Sequence, residues 1–473
     1  MPSPATELEL AIAAFRRDQA SGYLRELAGQ PRDPRFEGRA RAYLASERAE
    51  ELLEQARPEL TPGLYAASCA HLARASFELR YAAARSATSQ LLSREVAVEG
   101  DTRSVGALLG EWAGLTRQRD RVIAAMSPVL EEYGTKLIEA RSEADHTVGV
   151  RLGKLQPARH ADAGPEDGRE RASKFLDATA EVTREAIAYA ERAQHQQVET
   201  GLDALWVALG QDMRGLVPRE GRLRRLAAEW EPLGLRRMLA TRARAAVDHA
   251  GPYLAAQLVA LELPAQVRVS ACEREYGLAS ELSMAETIGR ALGLAHGSAT
   301  LPTATRYPSV GTVARTVGAL AVVRMLEPHF LRKVRGLSVR ESEQVARLCA
   351  LWFLLDARLS AAQTLGRTLR GETALDQVTA LAEQALLGSV PRGPAAVLIV
   401  RASGSAVFRG RAHAPALAWA FRERFDEDWY LNPRTAEPLR GALAQAGELS
   451  VEAFAQELDT TVERGIAKLS ELF

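Results

Sequence analysis

An almost wholly α-helical fold is predicted for this 473-residue chain by three observations. Ala, Leu, Arg and Glu, all good helix formers, dominate the composition, while aromatic residues make up only 6%. Long segments repeat apolar residues at helical spacing, and strand-like alternation is scarce. Gly and Pro cluster between those segments, where helices must start and stop.

Residues 6–57 read as two amphipathic helices broken at the turn GQPRDP, 29–34. A Pro-Gly break at 62–63 precedes a long helix over 64–93, and the pattern continues from Thr102 to Ala140 through Trp112, Leu115 and Val122. The Pro-, Gly- and charge-rich stretch 157–171 is the expected loop or linker between an N-terminal helical region, 1–156, and a second region, 172–473. Beyond it, helices are expected over 172–200, 202–213, 222–249 and 253–261. QVRVSACE, 266–273, alternates like a short strand. Further helices follow at 278–296, 310–335, 339–370, 373–387, 412–425, 435–446 and 450–472. AAVLIV, 395–400, is β-branched but short, so strand and buried helical turn both remain open.

Lys+Arg and Asp+Glu both number 60, and this zero net charge argues against nucleic-acid binding through a global basic field. Arg-rich stretches at 221–230 and 234–246 read as solvated helix faces, with weak binding of an anionic partner as the alternative. Cys69, Cys272 and Cys349 match no metal or redox spacing and are expected to be buried free thiols. The N-terminus lacks a secretory pattern, and no apolar run approaches the ~20 residues that span a bilayer. A cytoplasmic protein with no membrane partner is expected.

The most informative stretch is MAETIGRALGLAH, 284–296. Its core, Glu286-Thr287-Ile288-Gly289-Arg290, stands against the zinc-peptidase pattern His-Glu-x-Gly-His. In that pattern two His at i and i+4 share one helix face and converge on a metal, and the intervening Glu activates water. Here both ligands and the base are replaced.

The flanking residues carry the comparison further. LPTATRYP, 301–308, the frame Ser309-Val310 through Glu327-Pro328, FLRKVRGLS at 330–338, and the helix 346–367 resemble the thimet oligopeptidase and oligoendopeptidase F family in order. The tail FRERFDEDWYLNPRTAEPLRGALAQAGELS, 421–450, is similar to the family's ending. The resemblance covers roughly 270–473, while residues before 260 share only helicity. It implies a large helical zincin-like fold around a deep cleft, with minor β content.

It also implies a third zinc ligand, a Glu, about 25 residues past the second His; Arg315 occupies that position. Family members use His and Tyr near the C-terminus to hold the tetrahedral intermediate, yet 408–419 offers His413 and no Tyr. Arg neither ligates nor tolerates a nearby cation, so no zinc and no hydrolysis are expected. Glu286 is expected to bridge Arg290, its i+4 neighbour, and Arg315. Such a cluster is either a structural ion network or an anion trap. His296, Arg306, Tyr307 and His413 are candidate cleft-lining residues. The spacing of His195 and Glu199 allows metal ligation in principle, although a solvated polar face is the blander alternative.

The function these residues imply is that of an inactive peptidase homologue without cofactor. It would bind a peptide, a protein segment or an active paralogue. A metal-independent enzyme reusing the cleft and a purely structural assembly subunit are the alternatives.

Overall fold

Capping residues and apolar spacing set where the helices begin and which faces they bury. A computed structural model describes residues 2–27, 38–111, 119–152, 165–217, 221–248, 256–272, 277–307, 312–400, 405–445 and 449–473. The N-terminal part comprises α1 (Pro4–Leu27), α2 (Arg39–Leu44), α3 (Glu47–Ala56), α4 (Pro62–Leu92), a hairpin of β1 (Glu95–Val98) and β2 (Asp101–Ser104), α5 (Val105–Glu111) and α6 (Arg119–Leu152). Next come α7 (Pro165–Ala178), α8 (Ala180–Gln194), α9 (Gly201–Ala208), α10 (Arg222–Ala228) and α11 (Arg236–Arg242). A three-stranded sheet follows, made of β3 (Ala243–Asp248), β4 (Gln257–Glu262) and β5 (Gln266–Cys272).

The rest is helical: α12 (Gly277–Ala295), α13 (Thr303–Arg306), α14 (Thr312–Val323), α15 (Pro328–Arg335), α16 (Val339–Gly366), α17 (Ala374–Leu386), α18 (Arg392–Val400), α19 (Ser405–Phe425), α20 (Ala436–Ala444), α21 (Val451–Glu457) and α22 (Val462–Ser470). Local chemistry accounts for several starts. The Thr61 hydroxyl accepts from the Leu64 N–H with Pro62 at the first helical position of α4, and Ser338 with Glu341 forms a capping box on α16.

Four expectations need correction. The helical pattern read from Thr102 onward is interrupted by the hairpin, whose two-residue turn Glu99-Gly100 takes φ of 53° and 92°. That is the left-handed conformation a tight hairpin requires. The helices read over 222–249 and 253–261 give way to β3 and β4, because β5 supplies a parallel ladder to one and an antiparallel ladder to the other. Residues 165–171 of the expected linker are the first two turns of α7. The rest of that linker, 157–164, and the turn 29–34 lie outside the described residues. The run 395–400 is helical, within α18.

β5 matches the strand read at 266–273. Cys69 and Cys349 are buried free thiols, and the Cys272 side chain lies outside the described residues.

The main apolar core runs from Leu91 to Leu469, so it crosses the expected boundary near residue 157. It does so through α6 and α18, whose backbones meet at Gly134, where an added Cβ would come 2.3 Å from the Ala396 Cβ. A second core joins α1 to α4 with Ala304 of α13. Polar contacts fasten it there. Arg16 donates from Nε to His71 Nδ1 at 3.1 Å and from Nη2 to the Tyr307 carbonyl at 3.2 Å. His71 Nε2 in turn lies 3.0 Å from the Ala304 carbonyl. Burial holds His71 neutral, well below the ordinary imidazole value.

Candidate functional site

Four helices converge on the altered motif. Helix α12 brings Glu286, Thr287 and Arg290, α14 brings Arg315, α16 brings Asp356, and α19 brings Arg411. α14 packs against both α12 and α19, and glycine lets the backbones approach. A Cβ on Gly318 would fall 2.4 Å from Arg290 Cγ and 2.8 Å from the Glu286 carbonyl oxygen. A Cβ on Gly410 would fall 3.0 Å from Arg315 Cβ. The two arginine stems are thus set into the helix contacts.

Glu286, only 8% exposed, accepts from Arg411 Nη2 at 2.9 Å, and the same nitrogen lies 2.6 Å from Asp356 Oδ2. The expected bridge from Glu286 to Arg290 and Arg315 is therefore corrected. Arg411 takes the carboxylate, and among the described residues no ion pair or hydrogen bond joins Arg290 or Arg315 to any side chain. Arg411 comes from 408–419, the segment that the resemblance marks for His and Tyr rather than for arginine. Thr287, which the sequence resemblance sets at the general-base position, donates to the Ser283 carbonyl at 2.9 Å and to that of Ala256 at 3.2 Å, tying α12 to the approach of β4.

The electrostatics follow from burial and company. Burial pushes the Glu286 carboxyl upward, but Arg411, Arg290 and Arg315 together hold it below its ordinary value. Burial raises Asp356 to about 6 against the opposing pull of Arg411. Burial and then Arg290 bring the Arg315 guanidinium down to about 9, which still leaves it charged at neutral pH. Burial also lowers Arg290. Three guanidiniums thus surround two carboxylates.

These residues do not fit zinc. Both carboxylates are engaged by Arg411, and Arg290 and Arg315 present fixed positive charge beside them. Among the described residues no group of three or more His, Cys, Asp or Glu side chains could hold a metal ion.

The remaining candidates sit elsewhere. His296 caps the end of α12 with Nε2 3.3 Å from the Leu235 carbonyl. Arg306 donates to the Leu263 carbonyl at 3.0 Å and to Thr303 Oγ1 at 3.0 Å. The Tyr307 hydroxyl donates to the Leu261 carbonyl at 3.1 Å and accepts from the Leu263 N–H at 3.0 Å, clasping the end of β4. His413 Nδ1 contacts the Arg409 carbonyl one turn back at 2.9 Å, and its charged neighbours are Arg409, Glu452 and Arg171, on a different face of α19 from Arg411. Each of the four is thus engaged with a backbone carbonyl, and none belongs to the charge cluster. His195 ends α8 in a left-handed conformation with φ of 51°, so the helical spacing to Glu199 does not exist.

The arginines of 221–230 are also partly misread as solvated. Arg222 and Arg225 turn inward to Glu281, at 2.8 and 3.1 Å. Arg335 joins Glu281 to Glu229, which also meets the fully buried Arg324 at 3.4 Å. Arg324 stacks 4.1 Å from the Trp230 ring centroid. The motif-like tail has a structural role. Trp429 donates to Glu327 at 2.9 Å, the Tyr430 hydroxyl meets His329 Nδ1 at 2.8 Å, and Asn432 donates to the Phe425 carbonyl at 3.1 Å.

No family model and no curated protein sequence matches the chain. Solved structures do. The M32 carboxypeptidase from Deinococcus radiodurans R1 is similar at a TM-score of 0.55 and 14% identity, over 99% of this chain and 98% of that one. A protein described as BsuCP is similar at 0.60 and 11%, over 99% and 97%. A protein from Bacillus anthracis str. Ames described as an oligoendopeptidase F is similar at 0.57 and 11%, over 93% of this chain and 83% of that one. The likeness therefore extends well before residue 260, where the sequence showed only helicity. Identities this low establish the architecture alone: the chain has the helical fold shared by M32 carboxypeptidase and oligoendopeptidase F-like peptidases.

Proposed function

We propose that this protein is a catalytically inactive, metal-free member of the peptidase-fold proteins that works by binding a peptide or an extended protein segment in the region of the former metal site. The observation that carries the reading is the Glu286–Arg411–Asp356 ion cluster flanked by Arg290 and Arg315. Hydrolysis in the parent chemistry needs an ion-bound water and a carboxylate base. In this chain the base position is Thr287, whose hydroxyl is spent on two backbone carbonyls. A role as scaffold or regulatory subunit, with an active paralogue as one partner class, follows from binding without turnover. The competing idea of a metal-independent enzyme, with Arg290, Arg315, His296 and Tyr307 as its polar groups, is weakened because His296 and Tyr307 are engaged by backbone contacts.

Elemental analysis of the purified protein tests the first half of the proposal, and a screen of unstructured peptides for binding and for cleavage tests the second. The expected result is binding without cleavage and well under one zinc per chain. About one zinc per chain, or cleavage abolished by a chelator, overturns it.

A further inference from the structure

We infer that Arg290 and Arg315 together form a carboxylate-binding site, so that the peptide proposed above is held by a carboxylate where its relatives' chemistry would place a metal. This rests on the reading under Proposed function and narrows it to a ligand class.

Three observations support the assignment. The guanidiniums of Arg290 and Arg315 come from neighbouring helices, and each lacks an ion-pair or hydrogen-bond partner among the described residues. Both side chains are half-buried, and a partly desolvated guanidinium is ordinarily paired, since its charge is otherwise poorly compensated. The other arginine cluster makes the contrast: Arg222, Arg225, Arg324 and Arg335 each touch Glu281 or Glu229.

The second observation is the charge count. Arg290, Arg315 and Arg411 face Glu286 and Asp356, and Arg411 already engages both acids. One positive charge is left over, which a monoanion cancels and a phosphate dianion overshoots. The third is construction. The stems of Arg290 and Arg315 lie where a Cβ on Gly318 or Gly410 would collide with them or press on them, so the arginines are seated in the helix packing. Two seated, planar donor groups suit a carboxylate's paired oxygens better than flexible ammonium groups would.

The test uses the full chain and thermal unfolding at constant ionic strength with sodium acetate, sodium phosphate or sodium chloride. It is paired with calorimetric titration of N-acetyl-tetra-alanine as the free acid and as the C-terminal amide. Acetate is expected to raise the wild-type Tm more than phosphate or chloride does, and the free acid to bind at least about tenfold more tightly than the amide.

Arg315→Met is expected to raise the Tm without acetate, because one unpaired cation is gone, and to abolish the acetate response. Arg290→Lys keeps the charge but not the fork, and should weaken that response with the fold intact. An acetate response that survives both substitutions overturns the inference. So does a Tm loss in Arg315→Met without ligand, the signature of a merely structural arginine, or a phosphate response exceeding that of acetate. Equal binding of acid and amide overturns the inference while leaving the proposed function standing. Acetate binding without any peptide binding does the reverse.

Discussion

Suppose Glu286→His, Thr287→Glu, Arg290→His and Arg315→Glu are combined, rebuilding three zinc ligands and a base, with Arg411 left in place. Arg411 Nη2 lies 2.9 Å from the carboxylate that the first new imidazole would replace. An ion bound to that imidazole at ~2 Å would sit about 4 Å from the guanidinium. A doubly charged ion and a unit charge at that separation repel by about 8 kcal/mol at an effective dielectric constant near 20. If relaxation and the surviving Asp356 partner remove half, about 4 kcal/mol remains, roughly a thousandfold in affinity. The quadruple variant should therefore bind zinc weakly, and adding Arg411→Gln should tighten binding by about that factor. Competition against a chromophoric chelator measures both constants. Equal affinity with and without Arg411 would refute the reasoning. Neither variant should cleave unstructured peptides efficiently, since one missing oxyanion donor alone costs ~10²–10³ in turnover. His413, the candidate donor in 408–419, meets the Arg409 carbonyl through Nδ1 at 2.9 Å. Zinc-dependent cleavage at an appreciable rate would show that donors survive elsewhere.

Three further outcomes follow from buried charge. Glu286→Gln breaks the Glu286–Arg411 pair and removes a carboxylate charge that Arg290 and Arg315 also feel, and should cost about 3–5 kcal/mol in urea unfolding; a loss below about 1 kcal/mol would mean the cluster behaves as an exposed one. Arg358 is fully buried and donates to the carbonyls of Leu176, Gln384 and Ala385 and to Thr179 Oγ1, closing the ends of α7 and α17. Arg358→Met strands those acceptors at ~1–3 kcal/mol each, so a total loss of at least about 3 kcal/mol is expected, and a neutral substitution would refute the clamp. Burial raises Glu327 from 4.5 to about 7, so its favourable neutral form is fully present below pH 4.5 and is lost as the pH rises through 7. Glu327→Gln keeps an acceptor for Trp429. It should match the wild type near pH 4.5 and exceed it by up to about 3 kcal/mol at pH 8, as unfolding titrations would show. A constant difference across that range would contradict the assignment.

The helical class and the short strand β5 could be read from periodicity, because they depend on local pattern. Strands β3 and β4 could not. Ala243-Arg244-Ala245-Ala246 has a helix former's composition, and only the partner strand β5, some 20 residues on, makes it extended. Tertiary pairing overrides propensity there. The hairpin was within reach, since Glu99-Gly100 sits between short alternating runs. At the site, the motif located Glu286, Thr287 and Arg290, and the family spacing located Arg315 on the neighbouring helix. Arg411 was invisible for a physical reason: its pairing with Glu286 spans 125 residues and has no period or cap to announce it. Charge alone points to a further partner, because one carboxylate cannot satisfy two half-buried guanidiniums.

The kind of replacement bears on why the site persists. On the proposed reading, a former metal site is most cheaply filled with apolar residues, since exchanging a buried ion cluster for packed side chains is often neutral or stabilising. The surrounding faces of α12 and α14 are already apolar enough for that, with Ile288, Val317 and Ala321 all buried. Instead five charged side chains from four helices meet there, with two glycines accommodating the arginine stems. The cluster around Glu281 shows that this protein can bury arginines with every one of them paired. Arg290 and Arg315 differ only in lacking that partner, and the missing carboxylate is the simplest description of what the site binds.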